Sequence, residues 1–341
     1  MPPNLRAPRV AVGALGRHWW SWGLPLHARR RGYRLFHGTN YDVPLWGRTP
    51  SVLTVHDLSL FLHPETHDAR RVRRARRRLP LMTRRATLII TPTEAVRREV
   101  CATLGVAETK VAVVHEAPRA LFRPLDAARA RDVREHLGLG GDEFLLAVGT
   151  IEPRKNLTTL VRAFESVVAE RSAAASSSRP GFAPLRLVVA GARGWLTDEL
   201  FALVNTSPAR PFIHFAGYLP DSDLRALYSS CAAFVYPSLY EGFGLPPLEA
   251  MACGAPVLMS RIPSLAEWGG AAARLFEPTD ARDLARAVLE TIGDPRARLR
   301  LSEQGRAHAA RFTWQRAARE TLEVYDEALK RSGARAEGGG A

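Results

Sequence analysis

Lysine is almost missing from this chain. Only Lys110, Lys155 and Lys330 occur among 341 residues, although arginine is frequent enough to bring the formal net charge to +14. Cysteine is equally scarce: Cys101, Cys231 and Cys253 give no disulfide framework, and two of them fall in stretches that read as buried, so a reducing interior is the natural setting. No stretch is long and apolar enough to span a bilayer, and the start lacks the apolar core of a signal peptide. No cluster of His, Asp or Cys stands at ligand spacing, so neither a metal nor a cofactor is expected.

The apolar content, 46%, is ordinary, and the length suits two domains. Short apolar runs alternate with helical patterns, as in a doubly wound α/β chain whose ligands sit outside the carboxyl ends of parallel strands. Strand-like runs start at Leu35, Ser51, Leu88, Val111, Phe144, Leu185, Ile213, Ala232 and Ala255. Helices are expected over Arg17 to Tyr33, Leu157 to Val168, Ser222 to Cys231, Asp280 to Ile292 and most of Ser302 to Arg331. Glycine-rich HLGLGGDE, around residues 137–142, separates the two sets of strands, and the small polar segment Arg171 to Pro184 reads as a flexible loop.

Most of the chemistry is concentrated between Cys231 and Ser260, where Glu241 and Glu249 flank a glycine turn joining two buried strands. Pro246 and Pro247 suit the first positions of a helix that Gly254 ends, which places Glu249 in its first turn. Gly242 and Gly244 let the backbone approach a ligand, and the amides of a helix start favour phosphate oxygens. A tight strand–helix connection with Glu249 complementing the dipole is the alternative for so short a motif.

The spacing Glu241-x7-Glu249 within YEGFGLPPLEAMACGAPV resembles the signature of the retaining GT-B glycosyltransferases of family 4. The strand FLLAVG followed by Thr150-Ile-Glu-Pro-Arg-Lys155 is similar to that family's phosphate-clamping loop. HGTNY at His37 and TVHD at His56 look like its two cleft-facing strand ends.

The resemblance implies two Rossmann-like domains facing a cleft, with residues 1–138 on the acceptor side, 139–312 binding a nucleotide-sugar, a helix over 313–331 crossing back, and a disordered tail over 332–341. It implies transfer of a sugar from a nucleotide diphosphate to a hydroxyl with retained configuration. His56, Arg154, Lys155 and Glu241 would carry the chemistry; Gly149, Thr150, Gly217, Tyr218, Leu219, Gly242, Phe243, Gly244, Leu245 and Glu249 would hold the donor; His37 and Asn40 would lie on the acceptor side. Many members carry arginine where this chain has Thr150, so the clamp leans on Arg154 and Lys155. A glycosidase using the two carboxylates as acid and base is disfavoured, because the family assigns them to different rings of one ligand; spacing alone does not separate the two readings. VGTIEPRKN together with HGTNY resembles branches that often use GDP-mannose.

One departure from the family concerns its opening strand and glycine-rich loop. Only 36 residues precede His37, and Gly13 and Gly16 form a weak substitute, so the first domain is expected to be truncated at its start. Two functions of different class follow: a glycosyltransferase building cell-surface polysaccharide or glycolipid, or an inactive sugar-nucleotide-binding or partner-binding protein.

Nine arginines fall between Arg70 and Arg85. They form either a solvated face or a basic patch for anionic lipid headgroups, the latter suiting a cytoplasmic enzyme at the inner face of the plasma membrane. Nucleic acid also attracts arginine, but no reading module is recognisable, so it is not an expected partner.

Overall fold

A computed structural model describes residues 19–178 and 185–337. The apolar runs become ten parallel strands in two sheets. The first sheet holds β1 (Phe36–Gly38), β2 (Ser51–Thr54), β3 (Leu88–Thr91) and β4 (Val111–Val113) in that order. The second holds β5 (Glu143–Val148), β6 (Leu185–Ala190), β7 (Ile213–Gly217), β8 (Ala233–Tyr236), β9 (Val257–Ser260) and β10 (Arg274–Phe276), in the spatial order β10-β9-β8-β5-β6-β7. All four residues of β2, β3, β8 and β9 are buried, the mark of strands covered on both faces.

Around the first sheet lie α1 (Leu24–Arg31), α2 (Ser59–Leu62), α3 (Ala69–Arg85) and α4 (Glu94–Leu104). Then follow α5 (Ala127–His136), α6 (Leu157–Ser178), α7 (Asp198–Thr206), α8 (Asp221–Ser230), α9 (Leu245–Cys253), α10 (Pro263–Gly269), α11 (Ala281–Gly293), α12 (Pro295–Ala309) and α13 (Trp314–Glu337). Side-chain caps set several starts: Asp68 accepts from the amides of Arg70 and Arg71, Thr93 from Val96, and Asp280 from Arg282 and Asp283. Ala317, Val324 and Ala328 of α13 pack against Val52, Leu88 and Ile90 of the first sheet.

The structure moves several boundaries. Phe122 and Leu139 are buried in one cluster with Leu219, Leu227 and Phe234, so the connector from Phe122 onward and α5 belong to the second domain, and the division falls before Phe122 rather than at residues 137–142. The expected flexible loop after Arg171 is helical through Ser178, because alanine and serine continue α6 without a breaker; residues 179–184 lie outside the described residues. The largely helical stretch expected over Ser302 to Arg331 holds the end of α12 and most of α13, with a break between them where the Thr313 hydroxyl accepts from the Arg316 amide and starts α13. The backbone of α13 stays helical to Glu337, past the expected limit at Arg331. Upstream, a π-helical turn over Trp19–Gly23 runs into α1, which Gly32 ends in the left-handed conformation; Gly13 and Gly16 fall outside the described residues.

Candidate active site

In the second sheet the chain runs outward from β5 in one direction and then returns to start β8 on its other side. Ligands of such sheets sit in the crevice outside the carboxyl ends of the two strands at that reversal. Gly149 follows β5 there and Pro237 follows β8. Asn156 locks the two loops together: its amide donates to the carbonyls of Pro237 (3.0 Å) and Pro278 (2.6 Å), and the Leu239 amide donates to the Arg154 carbonyl (2.9 Å).

Within that crevice Lys155, Tyr236, Glu241 and Arg154 form one network. Lys155 Nζ donates to Glu241 Oε1 at 2.6 Å and to the Tyr236 hydroxyl at 2.7 Å, while that hydroxyl donates to the same Oε1 at 2.9 Å. Arg154 Nη1 stands 3.0 Å from Glu241 Oε2 and donates to the Tyr240 carbonyl, and Nη2 pairs with Glu152 Oε1 at 2.7 Å. Burial alone would raise the Glu241 carboxyl, but the charges of Lys155 and Arg154 outweigh it and hold it down at about 2. Glu241 is thus ionised and fixed. Arg154, expected to clamp phosphate, spends its forked donors on Glu152, Glu241 and the backbone, because the loop after β8 folds over it. Lys155 lies over Gly149 and is the nearer of the two to the strand-end position a phosphate would take.

The turn from Glu241 to Gly244 is held by three side chains acting on successive carbonyls: Ser264 Oγ donates to that of Glu241 (2.6 Å), Thr93 Oγ1 to that of Gly242 (2.9 Å), and Trp268 Nε1 to that of Phe243 (2.7 Å). Gly244 adopts φ +92, which favours glycine and starts α9 at Leu245. Glu249 therefore sits in the second turn of α9, not the first as expected from the prolines. Among the described residues, the amides of Gly242, Phe243 and Gly244 are bonded to nothing in the chain, an arrangement suited to an anion. Gly242 is also required by the first domain: a Cβ there would stand 1.8 Å from the His56 carbonyl. The Phe243 ring is buried and stacked on Trp268, and Leu245 is half-buried, so both support the turn rather than face the crevice.

Glu249 is buried and reaches Arg119 Nη2 at 3.4 Å; Arg119 also pairs with Asp221. Burial pushes the Glu249 carboxyl up to about 7, with Arg119 opposing. Of the three residues expected around a base, Tyr218 is 79% exposed, whereas Leu219 is packed in the core. Gly217 has its carbonyl taken by the Gly191 amide at 2.7 Å, and Thr150 is exposed.

Facing this crevice, His56 follows β2. Its Nδ1 pairs with Glu116 Oε1 at 3.1 Å and its Nε2 with the Thr39 carbonyl at 2.8 Å, and the bond to Glu116 raises its pKa. The two ring nitrogens of His37 are bonded within the chain, to the Tyr325 hydroxyl (2.6 Å) and Thr54 Oγ1 (2.8 Å), which ties α13 to the sheet. Asn40 is exposed at the mouth of a cavity beside α3. Sequence reasoning missed Tyr236, Glu152, Glu116 and Arg119. Only Tyr236 carried a signal, being a polar end to an apolar strand at the switch point. No group of three or more His, Cys, Asp or Glu among the described residues could hold a metal ion.

Two domains, each built on a parallel sheet and meeting across a crevice, are the arrangement of the GT-B fold. The chain belongs to the glycosyl transferases group 1: that family's model matches residues 129–308, and the model of glycosyltransferase family 4 matches residues 4–117. It is 33% identical over 307 residues to the O-antigen chain mannosyltransferase B of Escherichia coli, covering 88% of this chain and 78% of that one. It is 33% identical over 250 residues to the serotype-specific mannosyltransferase WbdA of Escherichia coli, of which it spans 30%. Among solved structures it shares the fold of sucrose-phosphate synthase from Thermosynechococcus elongatus (TM-score 0.73, 22% identity, 96% of this chain and 82% of that one). The same holds for WaaG, a glycosyltransferase involved in lipopolysaccharide biosynthesis (TM-score 0.67, 17% identity, 90% and 82%).

Proposed function

We propose that this glycosyltransferase moves mannose from GDP-mannose, with retention, to a hydroxyl of a glycan or lipid-linked acceptor in cell-surface polysaccharide or glycolipid synthesis. The observation that carries the reading is the Lys155–Glu241 pair at the switch point, 2.6 Å long, beside the free amides of the 242–244 turn. The choice of mannose rests on the named mannosyltransferases that the chain resembles.

In this reading the donor diphosphate lies between those amides and Lys155, whose preorganised positive charge stabilises the leaving group as the glycosidic bond breaks. A carboxylate offers about four lone-pair sites. Three are taken on Glu241 by Lys155, Tyr236 and Arg154, leaving one to accept a hydroxyl of the transferred sugar. Glu249 accepts from the ribose, and Tyr218 offers its exposed ring to the base. No protein nucleophile is invoked; positioning supplies the remainder.

Arg70, Arg73, Arg77 and Arg84 are exposed on α3, with Leu62 40% and Leu81 52% exposed nearby, and we assign this face to anionic headgroups. No described helix is long and apolar enough to cross a membrane.

The test is turnover of GDP-, UDP- and dTDP-sugars with glycan acceptors, with the product anomer read by NMR. Retained configuration from GDP-mannose, lost in Lys155→Ala, is expected. An inverted product, or turnover of a uridine or thymidine donor alone, overturns the corresponding part.

A further inference from the structure

The arginine run is split by the helix that carries it. Arg71, Arg74 and Arg78 share the side of α3 that also presents Ala75 and Leu79, spaced three and four residues apart, and this side lines a cavity of about 310 Å³. The opposite wall comes from the carboxyl ends of the first sheet: Asn40 and Asp42 after β1, and Asp57 after β2, with Phe61 from α2.

Charge in this cavity does not cancel. Arg78 Nη2 is paired with Asp42 at 2.6 Å, and Asp57 Oδ1 already accepts from the Ser59 amide (2.8 Å) and hydroxyl (2.7 Å). Arg71 lies against the Trp195 ring, 5.6 Å from its centroid, a contact that uses the guanidinium face and leaves its N–H edges. Arg74 has no ion pair among the described residues. Two guanidiniums with fork-shaped donors thus border an otherwise largely apolar hollow, and guanidinium edges match phosphate oxygens. The hollow, about 310 Å³, admits a phosphate or diphosphate group beside the two guanidiniums.

We propose that this cavity is an anionic subsite for the acceptor: Arg71 and Arg74 hold a phosphate or diphosphate ester carried by the acceptor, and Asn40 orients the attached sugar. The proposal rests on the glycosyltransferase reading and narrows its acceptors to phosphate-bearing glycans, whether soluble sugar diphosphates or lipid-linked ones.

The probe is inorganic pyrophosphate, titrated calorimetrically into protein whose donor site is saturated with GDP. Binding to the wild type is expected, weakened about tenfold or more in Arg71→Gln/Arg74→Gln, as befits lost charge-assisted hydrogen bonds, and unchanged in Arg73→Gln/Arg77→Gln on the outer face. GDP affinity should be equal in all three. No pyrophosphate binding to the GDP-saturated wild type, or equal binding by the inner-face variant, overturns the subsite. If GDP itself fails to bind, the donor reading falls separately, and pyrophosphate binding by Lys155→Ala protein still decides the subsite. With acceptors, the inner-face variant should raise KM for a glycosyl diphosphate, free or on polyprenol, and not for the uncharged glycan; an equal rise for both overturns the proposal. Vesicles of phosphatidylglycerol and phosphatidylcholine separate the two faces: loss of vesicle binding only in the outer-face variant is expected, and loss only in the inner-face variant, with pyrophosphate binding intact, overturns it.

Discussion

The carbonyl of His56 occupies the space that a side chain at residue 242 would need, with an ideal Cβ only 1.8 Å away. The two domains therefore meet at the turn carrying the candidate phosphate-binding amides. Neighbouring contacts reinforce the junction: the Tyr240 hydroxyl accepts from the Leu58 amide at 2.8 Å and donates to Glu99 at 2.6 Å. The Glu267 carboxylate accepts from the amides of Glu94 and Ala95 at the start of α4, both at 2.8 Å. Gly242→Ala should force the domains apart by more than a side-chain adjustment, since the obstacle is backbone. Turnover should fall about a hundredfold, the cost of misplacing reactants by about 1 Å, while nucleotide affinity changes little. Steady-state kinetics with a nucleotide titration checks this, and unchanged turnover would show that the contact is dispensable.

A second prediction concerns Tyr236, whose hydroxyl sits between Lys155 and Glu241 in a fully buried place. Tyr236→Phe keeps the ring packing and removes only the bridge, leaving one carboxylate acceptor site unfilled. Stability should drop by about 1–3 kcal/mol, the cost of an unsatisfied buried polar group. Urea unfolding measures it. A larger KM for the sugar donor should accompany the loss, because the Glu241 carboxylate then has freedom to turn away.

What was legible in the sequence follows from range. The strand at Phe144, the glycine turn at 242–244 and the rarity of Lys155 are local facts, and they point to the switch point of the second sheet. Arg154 reads as a phosphate ligand from its place in a basic loop after a strand; its partners, the carboxylates of Glu152 and Glu241 and the Tyr240 carbonyl, are fixed by how the loop after β8 folds across it. His37 looked like a cleft residue from its strand-end motif, yet its partner Tyr325 is 288 residues away on α13. The division between domains was placed at a glycine cluster, the usual local sign, while the burial of Phe122 against Tyr228 is a tertiary fact with no local signature.

That burial yields a third prediction. A fragment spanning residues 118–313 retains α5 and Phe122 against α8 and should unfold cooperatively on heating, whereas one spanning 139–313 bares the apolar side of α8. Leaving Tyr228 and Leu227 uncovered exposes a contiguous apolar patch of the kind that drives aggregation. Scanning calorimetry with light scattering distinguishes the two, and equal behaviour would return the boundary to residues 137–142.

The last prediction is a pH dependence with a definite sign. Burial raises the Glu249 carboxyl to about 7, against the pull of Arg119. An acid whose folded pKa lies above its unfolded value holds its proton more tightly when folded, so its contribution to stability is greatest at low pH and declines as pH rises from the ordinary carboxylate range toward 7. Ligand binding runs the other way: only the ionised carboxylate accepts from both ribose hydroxyls, so nucleotide affinity should climb between pH 6 and 7.5 and level off above. The nucleotide's own phosphate titrates in the same region, so the informative quantity is the difference between wild type and Glu249→Gln, which should be flat in the variant's own profile apart from that shared component. Arg119→Ala removes the opposing charge and should shift the wild-type inflection to higher pH. Calorimetric titrations across this range in two buffers of different ionisation enthalpy count the protons released, and an identical release in wild type and Glu249→Gln would remove Glu249 from the ribose site.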